Sequence, residues 1–318
     1  MKFLLFLRDF ENEKLTKYKK MKYKSIYVIF ILIFIFEGVY SQKWKRDRKE
    51  FVMTLGATNF LGELGGRNQI GTNGIMDLDF PSTNIVGGIG YRYKLYKKFA
   101  VKGNLFFGYV SGDDKETLEP FRNNRNLNFR SMIIELSGQA EWLFFRAREG
   151  HRYNLKGVKG WKHIYREFYL FAGFGGFYFN PKAQYNGDWY SLKELHTEGQ
   201  GLTPTRTDYS RFQICIPVGV GVKFAIDKKW SVGIEYGIRK TFTDYIDDVS
   251  TTYYNPDELS INYGNTAAYC ANPTNGSLSS AVTSPGQQRG DPRDKDAYMF
   301  GTITVYYKIP KGFNLPKF

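Results

Sequence analysis

The segment from Trp230 to Arg239 constrains the fold more than any other part of the chain. Its even positions are large and apolar: Trp230, Val232, Ile234, Tyr236 and Ile238. Its odd positions are small or charged: Ser231, Gly233, Glu235, Gly237 and Arg239. A period of two is the period of a β-strand, whose side chains point alternately to opposite faces. Such a strand fits a barrel wall, with lipid outside and a packed polar interior.

The same alternation recurs along the chain. It is clear from Val101 to Tyr109, from Met132 to Phe144 and from Phe212 to Phe224. Eight segments carry it, at about 51–60, 82–93, 99–110, 128–145, 166–179, 209–226, 230–243 and 296–308. No helical stripe competes with them. The connections near residues 95–98 and 227–229 are tight, whereas 61–81, 111–127, 180–208 and 244–295 are long. Short turns alternating with long loops are the mark of an outer-membrane barrel, the short turns lying on the periplasmic side. The predicted fold is therefore all-β: an eight-stranded antiparallel transmembrane outer-membrane β-barrel with long extracellular loops. One connection departs from the rule, because the inward link from Arg146 to Tyr165 is long. A secreted β-sandwich or lipocalin-like barrel also alternates. It would leave Tyr91, Tyr109, Trp142, Trp230 and Tyr236 in water, where a membrane barrel uses them as an aromatic girdle near the strand ends.

Composition agrees with a curved sheet. Aromatics make up 18% of the 318 residues and glycine contributes 33, and strands accommodate both. Mean hydropathy is −0.43, too low for a bundle of apolar helices. Two cysteines and three histidines exclude a disulfide scaffold and leave little for a multi-His metal site. Cys215 lies in a strand and Cys270 in a long loop, which predicts two free thiols.

The N-terminal region reads as a targeting segment. Ile26 to Phe36 is an unbroken apolar run preceded by Lys22 and Lys24 and followed by the small residue Ser41. This is the three-part pattern of a secretory signal, with cleavage expected near Ser41. Met21 makes a conventional start, and residues 1–20 then form an extension. The expected organisation is residues 1–41 as extension and signal peptide, and 42–318 as a single outer-membrane barrel domain. A net charge of +14 suits anionic lipid or an acidic partner. Export argues against nucleic acid, and no phosphate loop or aromatic-basic RNA motif is present.

On the inward register fall Arg92, Lys102, Glu135, Glu141, Lys223, Glu235 and Arg239. Eight strands enclose too narrow a lumen for an aqueous channel, so side chains fill it. Charges buried there must pair, which predicts an ion-pair network. At the outer rim, Asp244, Asp247 and Asp248 follow the seventh segment, while Asp291, Asp294 and Asp296 precede the eighth. Such residues cap turns. Several carboxylates on loops also suit a Ca²⁺ ion. Residues 272–288, rich in Ser, Thr, Asn, Gly and Pro, are expected to form a loop tip.

The chain has no Gly-x-Ser-x-Gly, His-Glu-x-x-His or Walker pattern. His196 sits in a loop near Glu194 and Glu198, and no histidine lies in a wall segment. A non-enzymatic barrel is expected. The long inward link offers another kind of site. Arg152, Lys156, Lys159 and Lys162 make it strongly basic, and Trp161 and Tyr165 supply apolar anchors for an acidic protein partner.

Three further segments, Phe174 to Ala183, Arg239 to Tyr253 and Arg289 to Phe300, carry a resemblance. Together they resemble the PorG-like family of outer-membrane β-barrels from the type IX secretion apparatus of Bacteroidota. The resemblance spans about residues 51–308 and implies a structural component that sits with periplasmic ring proteins, the partner at the basic link then being a ring lipoprotein. It implies no catalytic residues and no cofactor. The alternative is a free-standing small barrel that binds ligands or surfaces through its outer loops.

Overall fold

A computed structural model describes residues 48–64, 82–146, 166–227 and 229–309. The expected signal segment with its cleavage near Ser41, and the basic link with Arg152, Lys156, Lys159, Trp161, Lys162 and Tyr165, lie outside the described residues. Among the described residues there are nine strands: β1 (Lys49–Leu61), β2 (Asn84–Lys94), β3 (Phe99–Asp113), β4 (Asn128–Arg146), β5 (Arg166–Tyr185), β6 (Asp188–Ser191), β7 (Phe212–Ala225), β8 (Trp230–Thr241) and β9 (Ala297–Lys308). Eight of them close a barrel in the order β4-β3-β2-β1-β9-β8-β7-β5, and β5 returns to β4. Every wall pairing is antiparallel.

The faces follow the alternation. In β8 the apolar residues Trp230 and Ile234 face out, and Ser231, Glu235 and Arg239 are buried. In β4, Leu136 is 68% exposed while neighbouring Glu135 is fully buried. Leu55, Ile85, Ile89, Leu105, Ile214, Val220 and Ile303 complete an apolar exterior. So continuous an apolar belt is unstable in water and is the surface of a wall in contact with lipid. No helix among the described residues is long and apolar enough to cross a membrane; the crossing is made by strands.

Aromatic residues mark the rim of the short turns. Register pairs Phe51 with both Tyr91 and Tyr307, Phe99 with Trp142, and Trp230 with Tyr307. The Trp230 and Tyr307 rings lie 4.8 Å apart. Amphipathic rings at this level hold a barrel at the headgroup boundary. Tyr236 is a correction to the expected girdle. It stands mid-strand, opposite Gly301 and Val220, and its hydroxyl donates to Met299 Sδ at 2.7 Å.

Turn chemistry explains two connections. Asp227 Oδ1 accepts from the N–H groups of Lys229 and Trp230, both at 2.6 Å, tying the β7–β8 turn. Between β5 and β6, Asn186 (φ 51°) and Gly187 (φ 93°) supply the two left-handed positions of a tight hairpin. This hairpin was not anticipated, and β5 runs six residues past its expected end. At 20 residues β5 exceeds the roughly 9–11 that a tilted strand needs to cross a bilayer, so its upper part stands above the membrane.

Glycine spacing gives a test of the register. A side chain on Gly219 would run into Phe171 and the Tyr236 carbonyl, whereas Gly138 faces outward opposite Gly103 with open space around it. Gly219→Val is expected to lower stability by about 1–3 kcal/mol, while Gly138→Val stays within about 0.5 kcal/mol. Thermal melts of the two variants in one detergent check this. Equal losses would contradict the assignment of faces. The closed wall also predicts heat-modifiable migration on gels, since all strand edges are paired. Identical mobility before and after boiling, with partition into a soluble fraction, would rule out the barrel.

Candidate functional site

Two layers of side chains fill the molecule from the short-turn rim upward. The lower layer is ionic. Arg92 bridges Glu50 at 2.8 Å, Glu141 at 2.6 Å and Glu167 at 3.5 Å. Lys223 joins Glu50 at 2.5 Å, Lys94 joins Glu167 at 2.7 Å, and Lys102 bonds Glu235. Tyr169 and Tyr306 each donate to Glu235 Oε1 at 2.6 Å, their hydroxyls 2.9 Å apart. Higher up, Arg239 meets Glu135 at 3.2 Å and lies 4.0 Å over the Phe300 ring. Tyr298 also donates to Glu135, at 2.9 Å.

All seven residues read from the inward register stand in this lumen, and all are buried. Sequence reasoning missed Glu50, Lys94 and Glu167. With them the described residues of the lumen include five cations (Arg92, Lys94, Lys102, Lys223, Arg239) and five carboxylates (Glu50, Glu135, Glu141, Glu167, Glu235). Charges this deep are tolerated because each has an opposite partner. The lumen therefore works as a braced interior.

Above the ionic layer the interior turns apolar and merges with the loops. Phe60, Phe106, Phe129, Phe177, Phe179, Tyr298 and Phe300 form one buried cluster with Ile246, Val249, Tyr209 and Cys270 from the connections. Tyr209 stacks on Tyr245 at 4.6 Å, and Tyr185 meets Tyr269 at 4.3 Å. Cys215 and Cys270 are both buried and free. The outer connections thus make a folded cap on the protruding strands. Residues 272–288, expected as a loop tip, take part: Asn275 N–H donates to the Asn124 carbonyl at 3.1 Å, and Leu278 N–H to Asn124 Oδ1 at 2.9 Å.

Two buried arginines fasten the cap. Arg125 pairs with Asp114 at 2.7 Å and donates to the Arg289 carbonyl at 2.7 Å. Arg289 pairs with Glu198 at 2.9 Å and donates to the carbonyls of Asp248 at 2.6 Å and Ala271 at 3.2 Å. Glu198 also accepts from the N–H groups of Ser250 and Thr251. The three segments that carry the family resemblance converge here. Phe177 packs on Tyr298 at 5.5 Å, and Arg289 reaches Asp248.

The rim aspartates separate into different roles. Asp248, in a left-handed conformation (φ 65°), accepts from Tyr209 at 2.7 Å and from Thr197. Asp291 accepts from the Arg293 N–H at 3.1 Å, a turn cap, and the Asp294 N–H closes the same turn on the Asp291 carbonyl at 3.0 Å. Asp244 and Asp296 instead meet Glu63, a residue missed in the sequence, with one oxygen of each inside a 4.8 Å span. Asp247 stands beside them, accepting from Leu64 N–H at 3.1 Å and Val249 N–H at 3.0 Å. Burial pushes the Asp244 carboxyl up to about 6. Burial, then the neighbouring carboxylates, drives Glu63 and Asp296 well above the ordinary carboxylate range.

His196 Nδ1 stands 3.1 Å from Asp208, and its ring stacks on Tyr263 at 4.4 Å. A nearby cleft of about 160 Å³ is lined by Glu198, Gln200, Arg206, Asp208, Tyr209 and Tyr245. It is smaller than the roughly 300 Å³ at which small-molecule sites begin.

Lipid-facing wall, ionic lumen and folded cap define a small, filled transmembrane β-barrel. The chain belongs to the family described as "Domain of unknown function (DUF6089)", whose model matches residues 25–271. No curated protein matches it. Among solved structures it is similar to Ail, the attachment invasion locus protein of Yersinia pestis, crystallised with the heparin analogue sucrose octasulfate. The identity is 11% and the TM-score 0.35, over 82% of this chain and 99% of that one. It is also similar to Neisserial surface protein A, with 7% identity and a TM-score of 0.35 over 82% of this chain and 96% of that one.

Proposed function

We propose that this protein is a non-enzymatic outer-membrane anchor that acts through its two ends. The observation that supports this best is the interior: ion pairs fill the lumen and a folded cap covers its mouth. A barrel built in this way has little means of conducting solutes and can offer its surfaces to partners. In this reading residues 1–41 are the extension and signal peptide, and 42–318 one barrel domain in outer-membrane lipid. The resemblance of Phe174–Ala183, Arg239–Tyr253 and Arg289–Phe300 to the PorG-like family supports membership of a type IX-like secretion apparatus, with periplasmic ring proteins as partners.

The basic link between β4 and β5 is the proposed dock. Arg152, Lys156, Lys159 and Lys162 attract an acidic ring protein over the screening length of about 8 Å at physiological salt, and Trp161 and Tyr165 hold it. Replacing the four cations by Ser is expected to leave a heat-modifiable barrel that no longer co-purifies with ring proteins from mild detergent and secretes less cargo. Unchanged co-purification and secretion would contradict the dock.

A second reading has its own observation. Leu118, Phe121 and Ile261 are apolar and exposed on the cap, at 80%, 62% and 82%. In a free-standing barrel they would contact a surface outside the cell. Deletion of the gene separates the two, since loss of secreted cargo favours the secretion reading and loss of adhesion alone favours the other.

A further inference from the structure

We infer that Glu63, Asp244 and Asp296 bind a divalent cation of the calcium class that pins the cap to the barrel rim. These residues come from three different places: Glu63 just past β1, Asp244 just past β8 and Asp296 just before β9. One carboxylate oxygen from each lies inside a 4.8 Å span, about twice a typical Ca²⁺–oxygen distance. Distant chain segments do not bring three acids together in a protein interior without some return.

The independent observation lies in the unused oxygens. Asp296 is fully buried, and Asp244 is 2% exposed. Asp296 Oδ2 accepts from the Ile246 N–H at 2.9 Å, but Oδ1 has no hydrogen-bond partner. Neither oxygen of Asp244 has a partner in good hydrogen-bond geometry, the Ser250 side chain nearby giving only a weaker contact, and Glu63 uses Oε1 on the Asp291 N–H at 3.0 Å while Oε2 is unpartnered. A native interior pairs its buried polar atoms, so an orphaned oxygen on each of three clustered carboxylates marks the place of a ligand.

The nearby arginines are committed elsewhere, Arg125 to Asp114 and Arg289 to Glu198. Lys295 acts on Asp244 from nearby, but its Nζ donates to the Pro292 carbonyl at 2.6 Å and does not reach the carboxylates. No ion pair among the described residues reaches Glu63, Asp244 or Asp296. Asp247 adds a fourth negative charge alongside, held in place by two backbone N–H groups.

The donor set selects the ion. All donors are carboxylate oxygens, which suit a hard cation, and no His or Cys belongs to the group. Magnesium keeps several of its waters and demands a near-ideal octahedron, whereas the buried Asp244 and Asp296 leave little room for water on their side and Glu63 is half-buried. Calcium accepts irregular, mostly carboxylate coordination. Once bound, it would fasten the end of β1 to the β8–β9 hairpin, where the cap joins the wall.

The test uses the full chain in detergent, stripped with EDTA and exchanged into buffer. Calorimetric titration with Ca²⁺ is expected to show one site per chain, with a dissociation constant near the 0.1–1 mM typical of extracellular modules, roughly. Calcium is also expected to protect the cap from limited proteolysis, and Mg²⁺ at the same concentration to protect it less. Asp244→Asn and Asp296→Asn should weaken binding at least about tenfold, while Asp188→Asn, on exposed β6, leaves it unchanged. Gel heat-modifiability confirms that each variant retains its barrel, and the wild-type titration needs no variant. No binding by the wild type up to roughly 10 mM Ca²⁺, ten times the weak limit of such sites, would overturn the inference. So would equal protection by magnesium, or wild-type affinity in the double variant.

Discussion

Exchanging Arg92 for Leu is expected to be among the most damaging single changes in the wall. The guanidinium is fully buried and touches Glu50, Glu141 and Glu167. Its loss leaves these three carboxylates with one cation each, Lys223 on Glu50, Lys94 on Glu167 and Lys102 on Glu141. Breaking one buried pair costs about 3–5 kcal/mol, and Arg92 sits in several. Glu235→Leu should behave similarly, since Lys102, Tyr169 and Tyr306 all point at that carboxylate. The adjacent Ile234→Leu faces lipid and should cost under about 1.5 kcal/mol. Thermal denaturation followed by the shift between folded and unfolded bands measures all three. Equal midpoints for the Glu235 and Ile234 variants would show that the faces of β8 are assigned the wrong way round.

Arg289→Leu should produce the second large effect, in a different part of the molecule. Arg289 holds Glu198 and the carbonyls of Asp248 and Ala271, and its own carbonyl receives Arg125. Removing it strands a buried Glu198 and three cap segments at once, a loss of about 3–5 kcal/mol by the same reasoning. The barrel wall makes no use of this side chain. The expected result is a cap that is cut rapidly by protease at residues 244–296 while the band remains heat-modifiable. A variant as resistant as the wild type would show that the cap is held by its apolar cluster alone.

The wall was legible because a strand has only two faces. Once Trp230 to Arg239 is read with period two, lumen and lipid sides follow for Glu235 and Arg239 without further information. The lumen was only partly legible for a related reason. Glu50 is the second residue of β1, just ahead of the segment from about 51 in which the alternation is read, and Glu167 shares its inward face with Tyr169 and Phe171, which read as apolar. A rule that searches for a polar face passes over a face that mixes charge with rings.

The cap was not legible. Its elements have no period, and they are held by contacts between residues far apart in sequence. Arg125 and Asp114 lie close in sequence, but Arg289 and Glu198 are separated by 91 positions. Glu63 escaped notice as a partner of Asp244 and Asp296 because only barrel closure, pairing β1 with β9, brings it there. The hairpin at Asn186 and Gly187 was legible in principle, since Asn-Gly is a strong turn signal. The alternation fades near Phe179, and residues 180–208 therefore read as a loop.

Electrical recording on a planar lipid bilayer tests the central claim most directly, because a lumen braced by ion pairs beneath a folded cap should pass no ions. The purified full chain, first shown by its heat-modifiable band to be folded, is expected to insert without producing unitary current steps in 1 M KCl, roughly the ionic strength at which surface charge is screened within about 3 Å. The Arg92→Leu variant should either fail to fold or insert with the same silence, since aromatic rings still occupy the lumen above it. Reproducible unitary steps from the wild-type protein would contradict a filled barrel and, with it, the account of this protein as an anchor.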